Sequence, residues 1–237
     1  NQDMNGITIG VGSNQIGIYG NYIGTDNTGT QAIPNALHGI WFFGNDITIG
    51  TSNEADRNII SGNKGDGING AWQYGNSNIS VENNHIGVNK TGLQALGNHG
   101  HGLSIVNDRN LTVKNNIISA NLGTGIDTYI TSNVSIIGNK IGVDKTGLVD
   151  LGNGRQGVHF NDGTNITVGG SSLAERNIIS GNGSEGIGTE GLVNDVASAD
   201  LKIINNYIGV NINGDAAIAN DNYGISRWFS TASALIQ

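Results

Sequence analysis

Residues 141–153 read IGVDKTGLVDLGN, and close copies stand at 23–35 (IGTDNTGTQAIPN), 86–98 (IGVNKTGLQALGN) and 208–220 (IGVNINGDAAIAN). In every copy the glycine after the isoleucine and the closing asparagine are eleven residues apart, yet the copies begin 63, 55 and 67 residues after one another. A loop of constant length at uneven intervals implies that the intervening chain keeps a regular count of its own. Three short signals supply that count.

The first signal has an apolar residue ahead of Thr or Ser, at Ile16, Ile47, Ile79, Leu111, Val134, Ile166 and Leu201. The second is a corner asparagine before an Ile-rich pair: Asn21, Asn58, Asn84, Asn116, Asn139, Asn177 and Asn206. The third is an aliphatic residue after glycine: Ile40, Ile68, Leu103, Ile126, Val158, Ile187 and Ile225. From first signal to corner asparagine the gap is 5 residues, except before Asn58 and Asn177, where it is 11. From corner asparagine to third signal the gaps run 19, 10, 19, 10, 19, 10, 19, so the eleven-residue loop belongs to alternate repeats. Repeats of short strands and polar corners mark a stacked repeat architecture.

Within NITVGG (165–170) and NLTVKN (110–115), Ile or Leu and Val face inward while Thr faces out, the period of a strand. The expected fold is all-β: a single-stranded parallel β-helix, or β-solenoid, of about seven rungs with three strands each, long and short rungs alternating; its right hand comes only from the family resemblance given below. The four loops are expected to project from one side, about 9.6 Å apart. Asparagine tolerates left-handed backbone, and the seven corner asparagines are expected to hydrogen-bond as a ladder through their side-chain amides.

Composition agrees with an ordered β protein. Of 237 residues, 39 are Gly and 36 Asn, while charged residues are only 13 %. A net charge of −8 with no basic cluster disfavours nucleic acid, whose affinity rests on phosphate neutralisation. Apolar runs are too short for a membrane span, and the absence of Cys removes disulfide and thiol chemistry. One domain over 1–237 is expected; because the chain starts at Asn1 without Met or signal peptide, it reads as a fragment or processed segment of a longer one.

RNIISGNKGDGI (57–68), NNIISANLGTGI (115–126) and RNIISGNGSEGI (176–187) resemble the right-handed parallel β-helix repeats of pectate-lyase-like folds. Together with the IGTDNTGT-type loops they look most like the repeats of large bacterial extracellular and cell-surface proteins. That resemblance covers essentially the whole chain. It implies an extracellular or cell-surface location, and partners that are either further copies of the chain or a polysaccharide. It does not choose an activity, because one scaffold hosts many functions.

Several residue groups carry candidate chemistry. GHGLSI (100–105) resembles the Gly-His-Gly segment of polygalacturonase-type hydrolases, whose His supports a group of catalytic Asp residues. Two residues before each third-strand aliphatic stand His38, Asp66, His101, Thr124, Gln156, Glu185 and Tyr223, a column with Asp66 between two imidazoles. The family's Asn-Thr-Asp, Asp-Asp and Arg-Ile-Lys motifs are absent. The catalytic candidates are therefore His101, Asp66 and Asp127, against a solvated polar column. Aromatics cluster after the third strand, and an exposed row of Trp41, Trp72, Tyr74 and Tyr129 beside Asp127 and His159 would stack on sugar faces; the alternative is rings that cover the core. Asp26 and Asp144 hold matching loop positions, but Asn89 and Asn211 hold the other two, so a Ca²⁺ column would be weak and ordinary turn chemistry explains the pattern. No metal or cofactor is expected, Ca²⁺ being the sole candidate. The leading expectation is a non-catalytic extracellular structural or adhesive protein, self-assembling or contacting glycans. The alternative is a polysaccharide hydrolase or lyase working on the face after the third strand.

Overall fold

A computed structural model describes residues 4–70, 75–190, 199–228 and 234–237. The chain is all-β apart from two single 3₁₀ turns, Glu54–Asp56 and Leu173–Glu175. Every pairing between its named strands is parallel, and each strand bonds to a counterpart one repeat away. No helix among the described residues is long and apolar enough to cross a membrane.

The strands form two sheets, one of twelve and one of seven. The seven-stranded sheet is built from two-residue strands that follow the corner asparagines, from Tyr22–Ile23 to Tyr207–Ile208, paired in chain order. The twelve-stranded sheet holds the first and third signals together. Ile40–Ile49, Ile126–Ile137 and Val158–Gly169 each run unbroken from a third-signal residue through the next first-signal residue. Elsewhere the same path is split, as in Leu103–Val106 and Asp108–Lys114.

This corrects the expected single right-handed solenoid of three-stranded rungs. The long strand Ile126–Ile137 pairs with both Leu103–Val106 and Asp108–Lys114, and Ile40–Ile49 pairs with both Ile68–Gly70 and Asn76–Glu82. With Ile68–Gly70 bonded to Leu103–Val106 and Asn76–Glu82 to Asp108–Lys114, the pairings close a six-stranded parallel barrel within the larger sheet. The physical reason is that the turn between third and first signals often consumes no more than one residue in left-handed conformation, such as Ile130 (φ 52°) or Asp162 (φ 63°), and hydrogen bonding continues across it.

The core follows from strand alternation. Ile126–Ile137 buries every second residue at its ends, and Ile40, Ile68, Leu103, Ile126, Val158 and Ile187 are fully buried one above another. Phe42 and Phe160 complete the interior. At about 1.5–3 kcal/mol per fully buried aliphatic or aromatic side chain, this column is the main favourable term.

The four repeated loops do not project separately. Each folds back as a small hairpin, bridged at Thr25–Ala32, Val88–Ala95, Val143–Asp150 and Val210–Ala217. Each then bonds to the next: the Lys90, Lys145 and Ile212 amides donate to the Gly29, Gly92 and Gly147 carbonyls at 2.9, 2.7 and 3.0 Å. These glycines have φ of 66–72°, and a Cβ on Gly29 would meet Lys90 Cβ at 2.9 Å. The short repeats carry Ser61, Ser119 and Ser180, whose hydroxyls donate to the Val88, Val143 and Val210 carbonyls of the following loops. The loops therefore form one continuous wall.

Candidate functional site

Three side-chain ladders run along the stack. In the corner ladder Asn21, Asn58, Asn84, Asn116, Asn139 and Asn177 each donate Nδ2–H to Oδ1 of the next, ending at Asn206, over 2.8–3.1 Å. A second ladder, Asn35–Asn63–Asn98–Asn121–Asn153–Asn182–Asn220, repeats this at 2.8–3.0 Å. Four of its members close the long loops, and the other three sit in the short repeats; aligning NIISGN on the loop termini exposes the series. A third ladder is solvent-exposed and runs with opposite polarity: Asn165, Asn133, Asn110 and Asn78 donate to Asn133, Asn110, Asn78 and Asp46. All five residues have φ between 53° and 66°, the left-handed region asparagine accepts best.

The polar column beside the third strand is held by backbone. Asp66 N–H donates to His38 Nδ1 (3.0 Å), and Thr124 N–H to His101 Nδ1 (3.1 Å), so both imidazoles present a lone pair to an amide. His38 Nδ1 is also 3.2 Å from Asp66 Oδ2, but a nitrogen that accepts the amide proton has none to give the carboxylate. Asp66 itself takes the His101 N–H at 2.7 Å and Asn69 Nδ2–H at 2.7 Å. Burial pushes its carboxyl up, and the hydrogen bonds from Asn69 and the His101 amide oppose it, leaving the group below the usual carboxylate range. Asp66 and His101 are thus engaged in joining successive repeats.

Asp127 lies elsewhere, on the outward face, where its Oδ1 accepts His159 Nδ1–H at 2.8 Å. His159 Nε2 is buried without a partner. Gly188 follows in register, and a Cβ there would meet His159 Cδ2 at 3.4 Å and Ser226 Oγ at 3.7 Å. This dyad could orient a proton transfer, yet Asp66, His101, Asp127 and His159 line none of five clefts on the described surface.

The aromatic candidates are dispersed. Trp41 falls in register with Asn69, Ser104, Asp127 and His159, whereas Tyr129 pairs with Val106 and Asn161 in a different outward column. Trp72 and Tyr74 lie outside the described residues. Asp26 and Asp144 are consumed by their own loops. Asp26 accepts Thr28 Oγ1–H and the Thr30 and Gln31 amides, which take its pKa down to about 2. Burial raises Asp144, but Thr146 and the Val149 and Leu148 amides bring it below its ordinary value.

One place combines a cleft with unused chemistry, and no sequence signal singled it out. At the corner between third and first strands, a cleft of about 240 Å³ is lined by residues 107–109, 130–132 and 162–164. Register places Asp108 beside Thr131 and Thr131 beside Gly163, on three successive repeats. Asp108 is 1 % exposed, Thr131 2 % and Asp162 9 %. Asp108 Oδ1 and Oδ2, Thr131 Oγ1 and Asp162 Oδ1 are all buried without a hydrogen-bond partner. No cation among the described residues pairs with either carboxylate. Burial therefore drives Asp108 up to about 7; the Arg109 amide opposes this slightly, without the geometry of a sound hydrogen bond. Burial likewise raises Asp162. The signal that finds Asp108 is its slot three residues before the first-strand apolar residue, where the preceding repeat has Asn76 and the following one Thr131.

No protein-family model matches this chain, and neither a curated protein nor a solved structure matches it significantly. The class defined by fold and site is thus a parallel all-β repeat protein bound together by asparagine ladders.

Proposed function

We propose that the chain is a non-catalytic structural and adhesive scaffold of the cell exterior, holding polysaccharide by contact without turning it over. The observation that carries this reading is the continuity of two amide ladders through all seven repeats, buried except at their ends, with the loop wall beside them. Enzymes depart from such regularity at one preorganised cleft lined by reacting groups. Here Asp66 and His101 are spent on joining repeats. The likeness of the NIISGN repeats to those of large bacterial surface proteins supports the location.

The test is incubation with a panel of insoluble polysaccharides, reading retention in the pellet and new reducing or unsaturated ends in the supernatant. Retention without new ends is expected. Product release that disappears in Asp66→Asn or Asp127→Asn would overturn the non-catalytic reading, and failure to pellet with any polymer would overturn the adhesive one.

A further inference from the structure

We propose that the corner cleft binds a hard divalent cation, Ca²⁺ by the character of its donors, through Asp108, Thr131 and Asp162. Four side-chain oxygens on residues that line this corner, from three successive repeats, are buried and without a partner. Buried carboxylates are normally paired, hydrogen-bonded or on a metal, since an isolated buried charge is strongly unfavourable. Neither aspartate is paired or well hydrogen-bonded here. Metal coordination, or neutralisation by a proton where no metal is bound, is what remains for them.

The preceding repeat provides an internal control. Asn76 occupies the slot that Asp108 fills one repeat later, and its Oδ1 accepts the Gly44 amide at 3.0 Å. A neutral amide therefore satisfies this corner structurally; Asp108 places a charge where the fold needs none. Glycine at 163 keeps the space open, because a Cβ there would stand 3.5 Å from Thr131 Oγ1 and 2.8 Å from the Thr131 carbonyl. Strands two repeats apart are separated by about 10 Å, a span two aspartates can share around an ion at about 2.4 Å from each oxygen. The cleft has room for that ion with waters completing its shell.

Donor chemistry selects the ion class. All available groups are oxygens, and the chain has no Cys, which disfavours Zn²⁺ and the softer metals. Donors delivered by separate strands suit the variable geometry of Ca²⁺ better than the near-ideal octahedron of Mg²⁺. Two carboxylates neutralise the ion's charge. This inference is independent of the scaffold reading, since it concerns one corner of three repeats.

The experiment is thermal unfolding of the EDTA-treated full chain at pH 7.5, with and without millimolar Ca²⁺, alongside calorimetric titration with Ca²⁺ alone. The midpoint should rise by several degrees in Ca²⁺, and less in Mg²⁺. Asp108→Asn should stay folded, as Asn76 does in its slot, and should weaken Ca²⁺ binding at least tenfold; Asp162→Asn should do likewise. Asp26→Asn, in a loop, should retain the full response. A wild type insensitive to Ca²⁺, or a Ca²⁺ response that survives both Asp108→Asn and Asp162→Asn, would overturn the proposal.

Discussion

Asn84 illustrates how one residue type does several jobs in this molecule. Its Nδ2 donates to the Ile49 and Glu82 carbonyls and to Asn116 Oδ1, while its Oδ1 accepts both the amide and the Nδ2–H of Asn58. Asn84→Ala leaves several buried groups unpaired, and a loss of about 3 kcal/mol is expected in chemical denaturation. Asn78→Ala, in the exposed ladder, should lose about 1 kcal/mol, mostly from its left-handed backbone. Ile130 is a β-branched residue at φ 52°, in the slot where the previous repeat has Asn107 at 54°. Ile130→Asn should therefore stabilise the protein by about 1 kcal/mol.

Two buried titrating groups give opposite pH slopes. Burial, with the charges of Arg57 and Lys145, lowers His85 to about 4 from 6.5. Its contribution is complete above pH 6.5 and is lost as pH falls toward 4, up to about 3 kcal/mol. Asp108 is raised from 3.8 to about 7, so its contribution is complete below pH 3.8 and is lost as pH rises through 7. Without divalent metal at pH 8, Asp108→Asn should be more stable than wild type by about 2–4 kcal/mol. Urea titrations of wild type, His85→Gln and Asp108→Asn across pH 4–8 separate the two slopes.

At the scale of elements, the sequence carries the strands, their period and their alternation openly, because apolar residues alternate within each signal and asparagine marks each corner. Which strands merge was hidden. In Ile126–Ile137 and Val158–Gly169 third and first signals join across a single left-handed residue, and Ile130 and Asp162 do not advertise that conformation as glycine would. The stacking of loops two repeats apart was equally hidden, since it rests on backbone bonds between Lys90 and Gly29 and their equivalents. Neither Asp108 nor Asp162 belongs to a motif; they stand two repeats apart in the chain, and only the fold brings both to the lining of one cleft. Amide exchange checks the loop wall. The Lys90, Lys145 and Ile212 amides should exchange at least about a hundredfold more slowly than unstructured peptides. Gly92→Val, at φ 72° and with its Cβ 3.0 Å from Lys145 Cβ, should abolish that protection in its own loop pair.

For the molecule as a whole, the ladders and the loop wall tie each repeat to its neighbours by side chain as well as by backbone. Stability in stacked repeats is the sum of weak units and strong interfaces, so neighbours are expected to open together. This cooperativity is the central claim behind a scaffold that works by contact. Hydrogen exchange of the intact chain, read by mass spectrometry over peptides spanning residues 40–190, tests it most directly. The account predicts a single opening free energy shared by these repeats, and a parallel fall across all of them in Asn84→Ala. Repeats that open one at a time, with Asn84→Ala confined to its own neighbours, would contradict it.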